Sequence, residues 1–363
     1  MADAREGLCL CWLSCCESLT YKARERLKMA YPSAQAVFDG FSDALLPLVG
    51  EKAWGELSKL REKGLEKLEQ ALNKHDIRFT ALTDEDFPVL LEGIVDPPDL
   101  LFYRGTIRKE EGMAVAVVGS RRETRYGREQ AFQIARDLAA QGVTIVSGLA
   151  RGIDTAAHRG ALQAHGRTVS VLGSGIMRVY PDENQDLAEE IIASGGAVIS
   201  EFAPHAQPLA FRFPFRNRLV SGLSNGVLLI EAREKSGTLI TVGHALTQGR
   251  DVFALPGQVD APGSAIPHQL LREGARLATC ASDIMDDMGW RREATAEQIK
   301  MPLPDLTNDQ RRLYDALCDE PRAFNDLIAA MGLSAQDLNV LVTTLEMDGV
   351  IEALPGRMFR RAR

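Results

Sequence analysis

Six short stretches between residues 113 and 254 constrain this chain more than anything else in it. Residues 115–118, 143–146, 169–172, 197–199, 227–230 and 252–254 are almost unbroken in apolar residues. A strand with one wet face alternates apolar and polar residues, whereas a strand buried on both faces must be apolar throughout. Helix-period segments lie between most of these runs, at 127–140, 155–164, 186–194 and 239–247. Gly142, Gly166 and Gly249 stand where those helices stop, the position of a C-cap glycine. Repeated strand–helix units of this kind predict a parallel sheet with helices on both faces, a doubly wound Rossmann-like α/β domain.

At 363 residues the chain is too long for that domain alone. Residues 1–74 read as a small helical (SAM-like) domain. Residues 22–30 are helical, Pro32 and Ser33 make a break, and 51–73 carries a stripe of Leu57, Leu60, Leu65, Leu68 and Leu72. Residues 75–111 form a connecting segment with a stiff Asp96-Pro97-Pro98 turn and a short strand at 100–103. The Rossmann-like domain covers 112–288. A polar linker with Pro302 and Pro304 occupies 289–305. Residues 306–363 follow as three helix signals (308–318, 324–331 and 334–347) and a hairpin at 350–359, the order of a winged helix.

Cys9, Cys11, Cys15 and Cys16 crowd one segment and no Cys-x-x-Cys pair exists, so they are expected to pack a helix in a reduced, cytoplasmic protein rather than to hold a metal. No apolar run approaches the roughly 20 residues of a membrane helix, and no membrane partner is expected. The net charge of −8 excludes a protein coated in basic charge; a polyanion would have to meet a local cluster of Lys and Arg.

Such a cluster is expected where the loops leaving the strands' carboxyl ends converge. Those loops are Gly119-Ser120-Arg121-Arg122-Glu123-Thr124-Arg125-Tyr126-Gly127-Arg128, then Ser147-Gly148-Leu149-Ala150-Arg151-Gly152-Ile153-Asp154, Gly173-Ser174-Gly175, and Glu231-Ala232-Arg233-Glu234-Lys235-Ser236-Gly237-Thr238. Glycine lets backbone N–H groups approach a ligand, and the following helix adds its positive end. Arg121, directly after the tight turn, is the cation expected to face a ligand. Asp154 reads as a helix N-cap and His158 as a packed imidazole. Gly-x-x-x-x-Gly-Lys-Ser/Thr is absent, and Gly173-Ser174-Gly175-Ile176-Met177-Arg178 has Arg178 where a dinucleotide fingerprint has its third glycine.

A second signal is Phe211-Arg212-Phe213-Pro214-Phe215-Arg216-Asn217-Arg218, three rings interleaved with three arginines. Single-stranded nucleic acid is held by rings that stack on bases and cations that follow the backbone. A loop anchored by its phenylalanines, with arginines in water, is the plainer reading. The third helix of the C-terminal domain has no Lys or Arg but carries Asp337 and Glu346, and phosphates would repel it. That domain is expected to bind protein or to regulate, although Arg357, Arg360, Arg361 and Arg363 could touch a backbone.

Together these stretches resemble the DNA-processing protein A (DprA, or Smf) family. The resemblance rests on Val117-Val118-Gly119-Ser120-Arg121; Val146-Ser147-Gly148-Leu149-Ala150-Arg151-Gly152-Ile153-Asp154 with Ala157-His158; Tyr180-Pro181 with Asn184; Phe213-Pro214 with Arg216-Asn217-Arg218; Lys235-Ser236-Gly237-Thr238-Leu239-Ile240-Thr241; and Pro256-Gly257. It implies single-stranded DNA binding in a basic pocket, a homodimer, and delivery of RecA recombinase onto incoming DNA during natural transformation, with no cofactor and no catalysis. The implied pocket maps onto Gly119, Ser120 and Arg121 and onto Lys235, Ser236 and Gly237. Ser147, Gly148, Arg151, Gly173, Arg216, Asn217 and Arg218 complete the expected nucleic-acid-binding set. Two departures stand out. Ser264-Ala265-Ile266-Pro267-His268 replaces a stretch where the family commonly has Gly and Asn, and the N-terminal domain lacks the Gly-x-Gly turn of a DNA-binding helix–hairpin–helix.

The alternative is a Rossmann-fold nucleoside-phosphate hydrolase. Such an enzyme needs an acid or nucleophile at the phosphate edge, for which Glu201 and Glu231 are the candidates.

Overall fold

The computed structural model describes residues 4–233, 236–290, 306–317, 322–347, 350–354 and 356–361. Contacts divide the chain into two units, Met1–Trp290 and Arg291–Arg363.

The first unit opens with helices α1 (Ala4–Ser14), α2 (Tyr21–Ala30), α3 (Ala34–Asp39), α4 (Leu46–Val49), α5 (Glu51–Lys63) and α6 (Leu65–Lys74). Thr20 and Ser33 cap α2 and α3 by accepting from the backbone N–H three residues on. The leucine stripe at 51–73 is not one helix. Gly64, at φ 83°, breaks it into α5 and α6 so that Leu57 and Leu72 are both buried. Cys9, Cys11 and Cys16 are buried on α1 and just after it, and burial pushes the Cys15 and Cys16 thiols up to about 12. Cys16 joins the helical core around Trp12, while Cys11, with Cys15 against it, packs into the cluster that holds Leu100 and Val198.

A nine-stranded sheet follows: β1 (Arg78–Ala81), β2 (Leu100–Gly105), β3 (Ala114–Val118), β4 (Thr144–Ser147), β5 (Thr168–Val171), β6 (Ala197–Ser200), β7 (Gly226–Leu229), β8 (Asp251–Ala254) and β9 (Arg276–Leu277). Their order is β1-β2-β6-β5-β4-β3-β7-β8-β9. Strands β3 to β9 pair in parallel, while β2 runs antiparallel to β6 and β1 antiparallel to β2. The segment at 75–111 thus extends the sheet, with the short helix α7 (Val89–Glu92) between its two strands. Strands β1 and β9 have no counterpart among the sequence expectations; both are outermost, and an edge strand need not be apolar throughout.

The two-residue period of a strand splits the core. Val115 and Val117 of β3 pack into one layer, with Ile134 and Leu138 of α8 (Arg125–Ala140), Ala157 and Ala161 of α9 (Ile153–Gln163), and Ile284 of a later helix. Helix α10 (Gln185–Ala193) packs Leu187 and Ile191 into a neighbouring cluster. Ala114, Ala116 and Val118 face the opposite layer, against Leu219 and Val220 of α11 (Arg212–Gly222), Val242 and Ala245 of α12 (Thr238–Thr247), and Ile266 and Leu270 of α13 (Ala265–Arg272). Each fully buried Leu, Ile or Val contributes about 1.5–3 kcal/mol. Helix α14 (Ala281–Asp287) closes the first layer.

Two expected caps are corrected. Gly142 and Gly249 take positive φ just beyond α8 and α12, but beyond α9 it is His165, at φ 52°, that turns left-handed and not Gly166. The N-cap of α9 is Gly152; Asp154 lies inside the first turn, where its carboxylate accepts from the N–H groups of Gly148 and Ala150.

The second unit holds α15 (Asn308–Ala316), β10 (Arg322–Ala323), α16 (Phe324–Met331), α17 (Ala335–Met347), β11 (Ile351–Leu354) and β12 (Met358–Arg361), with sheet order β10-β12-β11. Leu313, Leu327, Leu338, Leu345 and Phe359 make its core. Its C-terminal cations are engaged internally: Arg357 and Arg361 lie over Phe324 and Tyr314, and Arg360 pairs with Glu352. Of the expected linker 289–305, Gly289 and Trp290 belong to the first unit, while residues 291–305, like Arg363, lie outside the described residues. Among the described residues no single helix is long and apolar enough to cross a membrane.

A basic cavity at the switch point of the sheet

Strand β3 lies between β4 and β7, so the chain winds outward in one direction through β4, β5 and β6 and in the other through β7 and β8. The loops after β3 and β7 therefore part, and the crevice between them is where sheets of this kind take ligands. A cavity of about 710 Å³ opens there. Its walls are Gly119, Ser120, Arg121 and Arg122 after β3, Gly148 and Ala150 after β4, Tyr180 in the loop after β5, Phe213, Arg216 and Asn217 of α11, and Arg233, Ser236, Gly237, Thr238 and Thr241 after β7.

The loops brace one another. Ile153 N–H donates to the Ser120 carbonyl at 3.2 Å, and the Thr238 hydroxyl to the Gly119 carbonyl at 3.3 Å. The positive end of α12 opens on the cavity through Gly237 and Thr238. Arg121, Arg122 and Arg233 are exposed, and among the described residues none of the three forms an ion pair. The Arg121 guanidinium lies 5.2 Å from the centre of the Phe213 ring, a cation on a flat aromatic face.

Arg216 has a different role from these three. It is only 3% exposed and donates to the carbonyls of Gly148 and Val171. Burial lowers its affinity for its proton to about 10, Asp154 opposes that shift, and Arg121 adds to it. Asp154 is buried too, which raises its pKa against the pull of Arg216. The cavity floor therefore holds a desolvated arginine and a desolvated aspartate, each tied to backbone, beneath exposed arginines. A side chain at Gly148 would place its Cβ 2.5 Å from the Arg216 nitrogens, and one at Gly173 would meet the Phe213 ring at 2.7 Å.

The remaining expected site residues lie elsewhere. Ser147 is buried and donates to the Val117 carbonyl. Gly173 is buried behind Phe213. Arg151 pairs with Glu183 through two bonds of 2.9 Å, outside this cavity. Arg218 turns to the opposite side of α11, where Glu201 and Asp96 neutralise it and Phe215 lies under it. Lys235 falls outside the described residues. Residues 212–218 are the first turns of a helix and not a loop, so their cations alternate between faces. Arg122, Arg233 and Tyr180 were not among the expected site residues, although the two arginines stand in loops that were and Tyr180 in a stretch that carries the resemblance.

Neither candidate carboxylate faces the cavity. Glu201 is clamped bidentately by Arg218 at 2.7 Å. Glu231 accepts from the Thr124 N–H at 3.0 Å and from its hydroxyl at 2.5 Å, at the N-terminus of α8. In nucleotide-binding Rossmann folds the first helix offers that end to a phosphate; here the chain's own carboxylate fills it.

Fold and site together define a doubly wound Rossmann-like protein with a basic switch-point cavity and a winged-helix companion. The family model for DNA recombination-mediator protein A matches residues 78–289, and the model for the DprA winged helix domain matches 297–357. Protein Smf of Escherichia coli is 38% identical over 291 residues, 77% of this chain and 76% of that one. The DNA processing protein DprA of Streptococcus pneumoniae is 43% identical over 205 residues, 56% of this chain and 72% of that one. A crystal structure of Streptococcus pneumoniae DprA covers 79% of this chain and 99% of its own, with a TM-score of 0.65 and 33% identity. A Helicobacter pylori DprA structure, described for its single-stranded DNA binding mode, covers 59% of this chain and 96% of its own, with a TM-score of 0.51 and 28% identity. This chain belongs to the DprA/Smf family of DNA-processing proteins.

Proposed function

We propose that the switch-point cavity binds single-stranded DNA, and that the protein protects incoming strands and, as a homodimer, loads RecA recombinase onto them in natural transformation. The observation that carries the reading is the convergence of Arg121, Arg122 and Arg233 on one cavity, none of them in an ion pair among the described residues. A polyphosphate releases counterions when it meets such a cluster. Phe213 and Tyr180 supply rings at its wall, on which a base can stack. The single-stranded DNA binding of the Helicobacter pylori relative supports the same ligand class. The hydrolase reading loses its candidate groups, because Glu201 and Glu231 are committed to Arg218 and Thr124.

The test is a salt-dependent titration with an oligothymidylate, a duplex of equal length and nucleoside monophosphates. The single strand is expected to bind best, with log affinity falling against log salt by about 0.7 per phosphate neutralised. Arg121→Ala and Lys235→Ala should weaken binding and flatten that slope. Parent-like binding by both variants would sink the assignment of this cavity. RecA loading is read separately, as oligomer-bound RecA filament formed with and without the protein.

A further inference from the structure

A second hollow, of about 740 Å³, lies on the far side of Arg121. Helices α8 and α9 form its sides, and its lining carries Arg121, Arg128, Arg151 and Arg159. Arg121 borders both this hollow and the switch-point cavity, so the two share a wall made of a cation. Arg128 and Arg159 are exposed, and among the described residues neither forms an ion pair. Three carboxylates also line the hollow: Glu123, Glu129 and Glu183. Glu129 is already offset by Arg125 at 2.7 Å and Glu183 by Arg151 at 2.9 Å. That leaves Arg121, Arg128 and Arg159 against Glu123, a net positive track.

We infer that the α8–α9 hollow is a flanking subsite for the same single strand, with Arg121 as the step between the two hollows and Arg128 and Arg159 as backbone contacts beyond it. The inference rests on the proposed binding of single-stranded DNA in the first cavity. A polynucleotide fits because its charges repeat at regular intervals, so a strand seated over Arg121 must carry further phosphates past one side of it or the other. The hollow is poor in rings: Phe132 alone lines it, half-buried, so contacts here follow the backbone and not the bases. Arg151 is held by Glu183 and is not assigned a phosphate.

Binding of oligothymidylates of about four and about sixteen nucleotides, the span of site sizes for one small domain, separates the two subsites. The Arg128→Ala/Arg159→Ala double variant changes two exposed helix positions and should keep the parent's unfolding midpoint. It is expected to bind the short oligomer like the parent and the long one more weakly. Its salt slope for the long oligomer should be shallower by about 1.4, two phosphates at about 0.7 each. Equal affinity and equal slope for the long oligomer would overturn the subsite. Arg121→Ala is expected to weaken both lengths. If it weakens neither, the first cavity is misassigned; if it weakens both while the double variant changes nothing, only the flanking subsite fails.

Discussion

Arg216 donates to the Gly148 carbonyl at 2.8 Å from beneath the loop that Gly148 begins. Asp154, in the first turn of α9, accepts from the Gly148 N–H at 3.1 Å. One glycine is thus held at both ends of its backbone, by a buried cation and a buried anion that attract each other. The arginine that looked from the sequence like a phosphate contact acts on the shape of the wall as well as on its charge.

Removing it should therefore unfold more than it unbinds. In Arg216→Ala, Asp154 keeps a buried charge without its cation, and two buried carbonyls lose a donor. Leaving buried acceptors without a donor costs about 1–3 kcal/mol each. Urea unfolding should show a loss of that order, and Arg216→Lys should recover only part of it, because an ammonium is a compact, more strongly hydrated charge that is costlier to bury. A midpoint unchanged in Arg216→Ala would contradict the assignment.

Gly148→Ala tests the same contact from the other side. The new Cβ would sit 2.5 Å from the terminal nitrogens of a guanidinium that is tied through Nη1 to two backbone carbonyls and cannot swing away. Overpacking of this kind costs about 1–3 kcal/mol. Gly173→Ala should be milder for stability yet should still weaken oligonucleotide binding, because the Phe213 ring it displaces borders the cavity. Thermal melts and anisotropy titrations on the two variants check the ranking.

His158 gives a pH dependence. Its Nδ1 lies 2.7 Å from the Thr168 hydroxyl, whose own proton is directed at the Ile145 carbonyl, so the ring donates from Nδ1. Burial, with Arg216 nearby, lowers its pKa from 6.5 to about 3. Above pH 6.5 neither folded nor unfolded chain holds the extra proton. Below it the unfolded chain takes the proton first, so stability falls on acidification until the folded pKa is reached. His158→Asn keeps a donor to Thr168 and cannot titrate. The parent's stability should fall faster than the variant's by about 1.4 kcal/mol per pH unit below 6.5. Parallel curves would show that His158 is not held neutral.

Glu231→Gln should be a stability variant and not a catalytic one. The carboxylate caps the start of α8, and losing its charge there should cost about 0.5–2 kcal/mol. Incubation of parent and variant with nucleoside monophosphates should release no free base from either. Base release by the parent that the variant lacks would restore the hydrolase.

The parallel strands were legible because burial on both faces forces runs such as 115–118 to be apolar throughout, and a helix must return between them. The convergence of the loops followed from the same rule, since parallel strands end at one edge. Helix α11 was not legible. Pro214 falls in its first turn, where no N–H partner is needed, so a residue that reads as a break fits without one. Its arginines point inward, against the habit of the residue type, because Gly148 and Glu201 come from 60-odd and 17 residues away and no local pattern announces them. Edge strands β1 and β9 escaped for want of a continuous apolar run.

The start of α11 also reaches beyond the sheet. Arg212, 7% exposed, bonds Glu17 just past α1 at 2.8 Å, while Arg216 on the next turn grips the cavity loop. Trimming the N-terminal helices would strip a sheltered guanidinium of its counter-ion one helical turn from the cavity wall. A shortened version of this protein would therefore test an altered cavity, and a weaker grip on DNA in such a truncation would not by itself mean that the missing helices touch the strand.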